Sequence, residues 1–312
     1  MNNKTPHDVI IVGAGAAGLS AGLVLARAQA DVLLIDAGKP RNAPAGEMYG
    51  FTSRDGMPPR EFHTTGRREV SGYNGRILSG RVSTIEPSAG GLFRVTLADG
   101  RVESARALLV ATGLTDELPQ IPGVRDRWGT LVLHCPYCHG NEVLGQTIVV
   151  IGGPVREMSI KQAGLLKRFS DNVTLLTNGI TLDTIERRRL ESFGVRVLDS
   201  VVSHLVGQPG SIDGVALTDG TTVDCDAAFI APRQRPHDGL LRALGCDIEP
   251  VTGLVIAKEF GQTSVPGVWA VGNVVTPTAQ VISAAGAASA SAIAISGWLL
   301  QKDLDSASAD RP

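Results

Sequence analysis

Aromatic residues make up only 4% of this chain of 312 residues, and it has just four cysteines. Two of those cysteines are isolated and only two are closely spaced, so no disulfide framework of a small secreted domain can be drawn. Neither sign of charge dominates: 29 Lys and Arg against 31 Asp and Glu leave a net −2. That balance offers no basic field for nucleic acid or an anionic membrane. No apolar run is expected to reach the roughly 18 residues of a membrane span. The opening, Met1 to His7, enters a strand without the apolar segment of a signal peptide. The expectation is a cytoplasmic protein with no nucleic-acid and no membrane partner. What is plentiful is glycine (37 residues) and apolar character (43%, mean hydropathy +0.10), which fits a glycine- and alanine-rich nucleotide-binding fold. The length makes two domains the natural expectation.

The run Asp8-Val9-Ile10-Ile11-Val12 reads as a buried strand, and Gly13-Ala14-Gly15-Ala16-Ala17-Gly18 follows it. Leu19 to Ala28 reads as a helix and Asp31 to Asp36 as a second strand. A GxGxxG run between strand and helix is specific where the same run alone is weak. Gly13 permits the tight turn, Gly15 lets backbone approach a pyrophosphate, and Gly18 lets the helix lie close to the strand. The helix N-terminus then faces the negative charge, and Asp36 is placed for ribose hydroxyls. A dinucleotide is expected here; this stretch alone leaves FAD and NAD both open.

Residues 39–60 are rich in Gly, Pro and polar residues and read as a loop laid over that site. A helix is expected from Pro59 to Asn74, then an antiparallel meander over 76–86, 92–98 and 101–104 with Asp99-Gly100 as a turn. Ala107 to Gly113 reads as a separate buried strand whose small Ala111-Thr112-Gly113 end lets backbone pass beside a cofactor.

His134-Cys135-Pro136-Tyr137-Cys138-His139-Gly140 is the stretch that carries chemistry. Two cysteines separated by two residues interconvert between dithiol and disulfide, the signature of two-electron thiol exchange. The same spacing forms half of a zinc site; Cys225 and Cys246 are isolated, and although His134 and His139 could complete a four-ligand set, six consecutive residues do not easily wrap a tetrahedron around one ion, so no metal is assigned. Cys225 and Cys246 read as small buried residues. His63, His204 and His237 have no supporting pattern.

A second strand–turn–helix frame follows, with Thr147–Ile151, a turn over Gly152-Gly153-Pro154-Val155-Arg156-Glu157, a helix over Ser159–Phe169 and a strand at Val173–Leu176. Its fingerprint is damaged. Pro154 stands where the second glycine belongs and has no N–H for a phosphate. Glu157, bulky and negative, stands at the third small position. Thr177-Asn178-Gly179-Ile180 offers no arginine for a 2′-phosphate, and Arg187-Arg188-Arg189 reads as the solvated face of a helix. Further strands are expected at Gly253–Ile256 and Gly267–Val271, then a long helix from about Ala279, and a disordered tail over 302–312.

Taken in order, GxGxxG, Ala-Thr-Gly, Cys-x-x-Cys, the second frame, and Thr263 to Asn273 with Gln280-Val281 resemble the low-molecular-weight thioredoxin reductases over nearly the whole chain. The resemblance implies FAD and an α/β fold of two Rossmann-like (three-layer ββα) nucleotide-binding domains, the second inserted in the first. The FAD domain would comprise 1–117 and 246–312, and the insert 118–245 would carry the cysteine pair and a degenerate nucleotide site. FAD would lie against Gly13, Gly15, Ala16, Ala17, Gly18, Asp36, Ala37, Arg41, Ala111, Thr112, Gly113, Gly272, Asn273, Gln280 and Val281.

Three departures stand out from the reductase pattern. Cys-Pro-Tyr-Cys-His replaces Cys-Ala-Thr-Cys-Asp, Asn273 stands for the acid of a Gly-Asp pair, and Ala231-Pro232-Arg233 replaces an Ile-Gly turn. They are similar to the dithiol oxidase branch, whose members close disulfides in small molecules of the gliotoxin and holomycin type. The resemblance implies Cys138 as the sulfur next to the flavin, Cys135 as the sulfur that exchanges with substrate, and His139 as the acid/base group. His134 reads as structural as readily as catalytic. A small-molecule dithiol or protein thiol is the expected substrate, oxygen the expected acceptor, and a homodimer the expected assembly. Two alternatives stay open: thioredoxin-disulfide reduction driven by NADPH or another donor such as ferredoxin, and a redox-sensing flavoprotein without turnover.

Overall fold

A computed structural model describes residues 5–309. The β-branched run of the first motif forms β1 (His7–Val12), and the glycine turn leads into α1 (Ala16–Arg27) and β2 (Val32–Asp36). After α2 (Pro59–Gly72) come β3 (Arg76–Ser79), β4 (Val82–Ser88), β5 (Leu92–Leu97) and β6 (Val102–Val110). Seven strands make the first sheet, in the order β3-β2-β1-β6-β5-β4 with a further strand beside β6. The meander is thus present from β4 to β6. The segment expected to open it, β3, instead pairs parallel with β2. Residues 101–104 and 107–110, expected as two strands, are one: β6 pairs antiparallel with β5 through Val102–Ala105 and parallel with β1 through Ala105–Val110.

The chain continues through β7 (Leu114–Glu117), α3 (Val124–Arg127), β8 (Val132–Leu133) and the short α4 (Pro136–His139). Next come β9 (Ile148–Ile151), α5 (Arg156–Leu166), β10 (Val173–Leu176), α6 (Thr184–Ser192) and β11 (Arg196–Leu198). Then β12 (Val202–Val206), β13 (Gly214–Leu217) and β14 (Thr222–Asp224) form an antiparallel sheet. They are followed by β15 (Ala227–Ile230), β16 (Arg233–Pro236), α7 (Gly239–Ala243), β17 (Val268–Ala270) and α8 (Val281–Ala309). The second parallel sheet runs β11-β10-β9-β15-β8, while β7 and β16 pair with each other. β17 is the strand beside β6.

Two compact units result, the first containing Arg60–Thr115 and Pro236 onward together with the segment up to Ala43, the second Pro44–Pro59 and Asp116–Arg235. In the first, one face of the sheet packs on α1 and α8 through Ile11, Leu34, Leu109, Trp269 and Ile295. The other face buries Ile10, Ile35, Leu108 and Phe93. In the second unit β9 and β15 are buried on both faces, with Val149, Ile151 and Ile230 to one side and Ile148, Val150 and Phe229 to the other. Continuous apolar runs in these parallel strands follow from that two-sided burial. Arg127, almost fully buried, holds the loop before β13 by donating to the carbonyls of Gly207, Gln208 and Ser211.

Several expectations are corrected. Within the loop expected over 39–60, Pro44–Pro59 groups with the second unit, which the sequence did not indicate. Its apolar and aromatic side chains find partners there: Met48 is buried and Tyr49 packs on His139. Gly253–Ile256 is not a strand, because only an isolated Ile248–Val255 bridge forms. The tail is helical through Ala309, continuing the hydrogen-bonded turns of α8, and residues 310–312 lie outside the described residues. Among the described residues one helix, α8, is long and apolar enough to cross a membrane by length and composition. Its buried residues Ala284, Ala288, Ser291, Ala292, Ile295 and Leu299 recur at helical spacing against the core, which is the pattern of a core helix.

Candidate active site

In the first unit the residues expected at the dinucleotide meet at the C-terminal ends of β1, β2 and β6. Gly13 has φ +103°, and a Cβ there would lie 2.5 Å from the Ala111 carbonyl oxygen. A Cβ on Gly18 would lie 1.9 Å from the Gly13 carbonyl oxygen, so no side chain is admitted at either position. Ala111 and Val271 donate backbone N–H to Val12 and Val110 carbonyls, bringing Ala111-Thr112-Gly113 and Gly272-Asn273 beside the glycine turn. A Cβ on Gly272 would touch Ala17 at 3.1 Å.

Asp36 accepts the Ala14 N–H at 3.3 Å and pairs with Arg67 of α2, a partner the sequence did not mark. Arg41, after Ala37 on the loop beyond β2, donates to the Pro277 carbonyl at 3.1 Å. Asn273 Nδ2 lies 3.2, 3.1 and 2.9 Å from the carbonyls of Thr276, Pro277 and Ala279, and so braces the turn that presents Gln280 and Val281 at the start of α8. His237, without a pattern in sequence, is stitched to the same wall. Its N–H donates to the Gly113 carbonyl, its Nδ1 lies 2.9 Å from the Thr112 carbonyl, and its Nε2 lies 2.7 Å from Thr115 Oγ1.

These residues fit a bound dinucleotide. α1 begins without a capping side chain and with no acidic residue in its first turn, so its N-terminal amides are left for an anion. Open space faces Gly15, where a Cβ would meet nothing within 4 Å.

The second unit holds the redox pair. Cys135 precedes α4 and Cys138 lies within it, both half-buried. Cys138 and His139 donate backbone N–H to the Cys135 carbonyl at 3.1 Å, closing the turn that brings the cysteines together. Pro136 at the first helical position suits a site where no N–H bond is lost. The turn is fixed from below: a Cβ on Gly140 would lie 2.5 Å from the Pro136 carbonyl oxygen and 2.6 Å from the Phe169 ring. Gln162, buried on α5, donates to the carbonyls of His134 (2.5 Å) and Ile230 (3.2 Å), tying the cysteine loop to β15.

His139 packs edge-on against Tyr49, ring centroids 6.0 Å apart, and its Nδ1 is buried without a hydrogen-bond partner. Burial holds its pKa below the ordinary imidazole value, opposed by the Glu142 carboxylate, so the ring is neutral and basic near pH 7. A cavity of about 210 Å³ opens beside Cys138, lined also by Tyr49, Tyr137, Phe169, Asp55 and Glu142. Cys225 and Cys246 are buried apart from this site, and burial pushes the Cys225 thiol up to about 12. Among the described residues no cluster of three metal-ligating side chains occurs.

The second nucleotide frame departs from the first at its turn, although α5, like α1, begins without a capping side chain. Gly152 donates to the Leu176 carbonyl just as Gly13 does to that of Ile35. Beyond that point the two frames differ. The Gly153 N–H is directed at Ser159 Oγ (3.2 Å), and Pro154 has no N–H. Arg156 is bound to the Thr181 carbonyl and Glu186. Asn178, after β10, turns inward to the Gly152 carbonyl and the Val202 N–H, both at 3.0 Å. Arg187 pairs with Asp199 and Glu191, the solvated helix face expected.

The sequence model of the pyridine nucleotide-disulphide oxidoreductases matches residues 7–292. Among curated proteins, Thioredoxin reductase aclD of Aspergillus oryzae is 32% identical over 85% of this chain and 88% of its own length. Thioredoxin reductase tcpT of Claviceps purpurea is 29% identical over 88% of each. Among solved structures, that of HlmI is 46% identical with a TM-score of 0.94, covering 98% of this chain and 96% of its own. An oxidoreductase from Agrobacterium tumefaciens is 35% identical with a TM-score of 0.87, over 95% and 99%.

Proposed function

The chain belongs to the pyridine nucleotide-disulphide oxidoreductase family, and on that premise we propose that it oxidises a dithiol to a disulfide through Cys135 and Cys138 and passes the electrons to oxygen. It is an FAD-binding oxidoreductase with the thioredoxin reductase-like fold of two Rossmann-like domains, and it acts on thiols and disulfides. When bound, FAD accepts the electron pair of the reduced cysteines and hands it on.

The observation that carries the oxidase reading is the altered glycine turn of the second nucleotide frame. A reductase draws its electrons from a nicotinamide dinucleotide, whose pyrophosphate needs free backbone amides at the glycine turn. Here one amide is absent at Pro154, the Gly153 N–H faces Ser159, and Asn178 is committed to backbone. That turn argues against a nicotinamide donor, and on the proposed reading electrons enter from the thiol side. The proposed roles follow: Cys135 exchanges with the substrate, Cys138 delivers electrons toward the flavin, and His139 takes the thiol proton. Asn273 and the glycine-turn residues hold the cofactor. A cytosolic location fits cysteines that must cycle, and a homodimer fits the exposed apolar stripe Ile293, Leu300 and Leu304 on α8.

Anaerobic addition of NADPH, then NADH, then a small dithiol to the purified yellow protein tests this reading. Bleaching of the flavin by dithiol alone, reversed by oxygen with formation of hydrogen peroxide, is expected. Rapid bleaching by NADPH would overturn it. That result would favour thioredoxin-disulfide reduction, the second reading, which the names of the curated relatives support.

A further inference from the structure

The cavity beside Cys138 is walled by rings and by carboxylates. Tyr49, Tyr137 and Phe169 give it flat apolar sides, Asp55 and Glu142 carry its charge, and among the described residues no lysine or arginine lines it. Its volume of about 210 Å³ lies below the ~300–1,000 Å³ of a pocket for a drug-sized ligand. It therefore admits the dithiol end of a small molecule. The Tyr49 hydroxyl donates to Glu47, and that hydrogen bond, then burial, then the charges of Glu47, Glu142 and Asp55 raise the phenol's pKa to about 12. The Gly50 N–H, donating to Asp55 at 2.7 Å, offsets only one of these carboxylates.

Resting on the dithiol reading above, we propose that this cavity, which opens on Cys138 and not on Cys135 one helical turn before it, is where the substrate docks for exchange with Cys135, and that it selects small uncharged or cationic dithiols against acidic ones. A carboxylate carried on the substrate would meet Asp55 and Glu142 with no cation of the wall to receive it, and the rings would flank an apolar body. The exchange itself is charge-neutral. Two substrate S–H bonds and the Cys135–Cys138 disulfide of the oxidised enzyme break, the substrate disulfide forms, and two electrons with two protons pass to the enzyme pair. Oxygen takes them onward, as proposed above. Charge therefore acts on binding and approach.

The test compares dihydrolipoamide with dihydrolipoate, the same dithiol with and without a carboxylate, by anaerobic stopped-flow measurement of flavin bleaching. At low ionic strength the amide is expected to react about three- to tenfold faster per unit concentration. The ratio should fall toward one in about 0.5 M salt, where the Debye length is only a few ångströms. It should also shrink in Glu142→Gln, an isosteric change at an exposed side chain. Equal rates for the two dithiols at low salt, or a ratio unmoved by both salt and Glu142→Gln, would overturn the selectivity while leaving dithiol oxidation intact. Bleaching by neither dithiol would overturn dithiol oxidation itself and the selectivity with it.

Discussion

Replacing Asn273 by Asp would put a carboxylate oxygen where Nδ2 now faces three backbone carbonyls, those of Thr276, Pro277 and Ala279, at 3.2, 3.1 and 2.9 Å. Three carbonyl neighbours identify that atom as the nitrogen, since an oxygen there would have only acceptors around it. The amide has two hydrogens, so two full bonds are made and the third carbonyl shares one of them. Losing both costs about 1 kcal/mol each, and a half-buried charge facing unpaired carbonyls adds a comparable penalty. The expected total is about 2–4 kcal/mol, against about 1–2 kcal/mol for Asn273→Ala, which removes the donor without adding charge. In a unit of this size that corresponds to a fall of roughly 5–10 °C in the melting temperature of the first unit for the Asp variant. Differential scanning calorimetry with saturating FAD would measure it.

The sign of the pH dependence adds a second check. Carbonyls around the introduced carboxylate would raise its folded pKa above the unfolded value, so the deficit should shrink as pH falls through that folded pKa. An Asp variant as stable as the parent, or more stable than Asn273→Ala, would refute the argument. Position 273 would then be free to carry the acid of the reductase pattern.

Gly140→Ala should destabilise by about 1–3 kcal/mol through overpacking against Pro136 and Phe169, and adding Phe169→Leu should recover only the part owed to the ring. Chemical denaturation of the single and double variants separates the two contacts. Cys138→Ser should keep the flavin spectrum and lose dithiol turnover by at least about a hundredfold, and normal turnover would remove that sulfur from the redox pair. For His139 the acidic limb of the pH–rate profile should lie below the ordinary imidazole range, because burial lowers its pKa. Glu142→Gln should move the limb lower still, since that carboxylate raises the pKa, and His139→Ala should abolish the limb. A limb that stays in place in His139→Ala would return the histidine to a packing role.

By itself the sequence determined what depends on neighbours along the chain. The β1–glycine–α1–β2 frame was legible because a turn with no room for Cβ must be glycine, and because two-sided burial demands an unbroken apolar strand. The redox pair was legible because a two-residue spacing closes a disulfide locally. The damage at Pro154 was visible since proline lacks an N–H in any context. Tertiary structure decided the rest. Residues 39–60 read as a loop, but that Tyr49 within it packs on His139 is a contact between distant residues that no local pattern encodes. His237 had no motif because its role lies in bonds to Thr112, Gly113 and Thr115 from across the sheet. Gly253–Ile256 has the composition of a strand but forms only one bridge there. Asn273 stood out only as a departure from the Gly-Asp pair, but its three carbonyl partners make it a donor that a carboxylate could not replace. Local sterics and covalent chemistry are written residue by residue, while hydrogen bonds and burial between distant segments exist only once the chain has closed on itself.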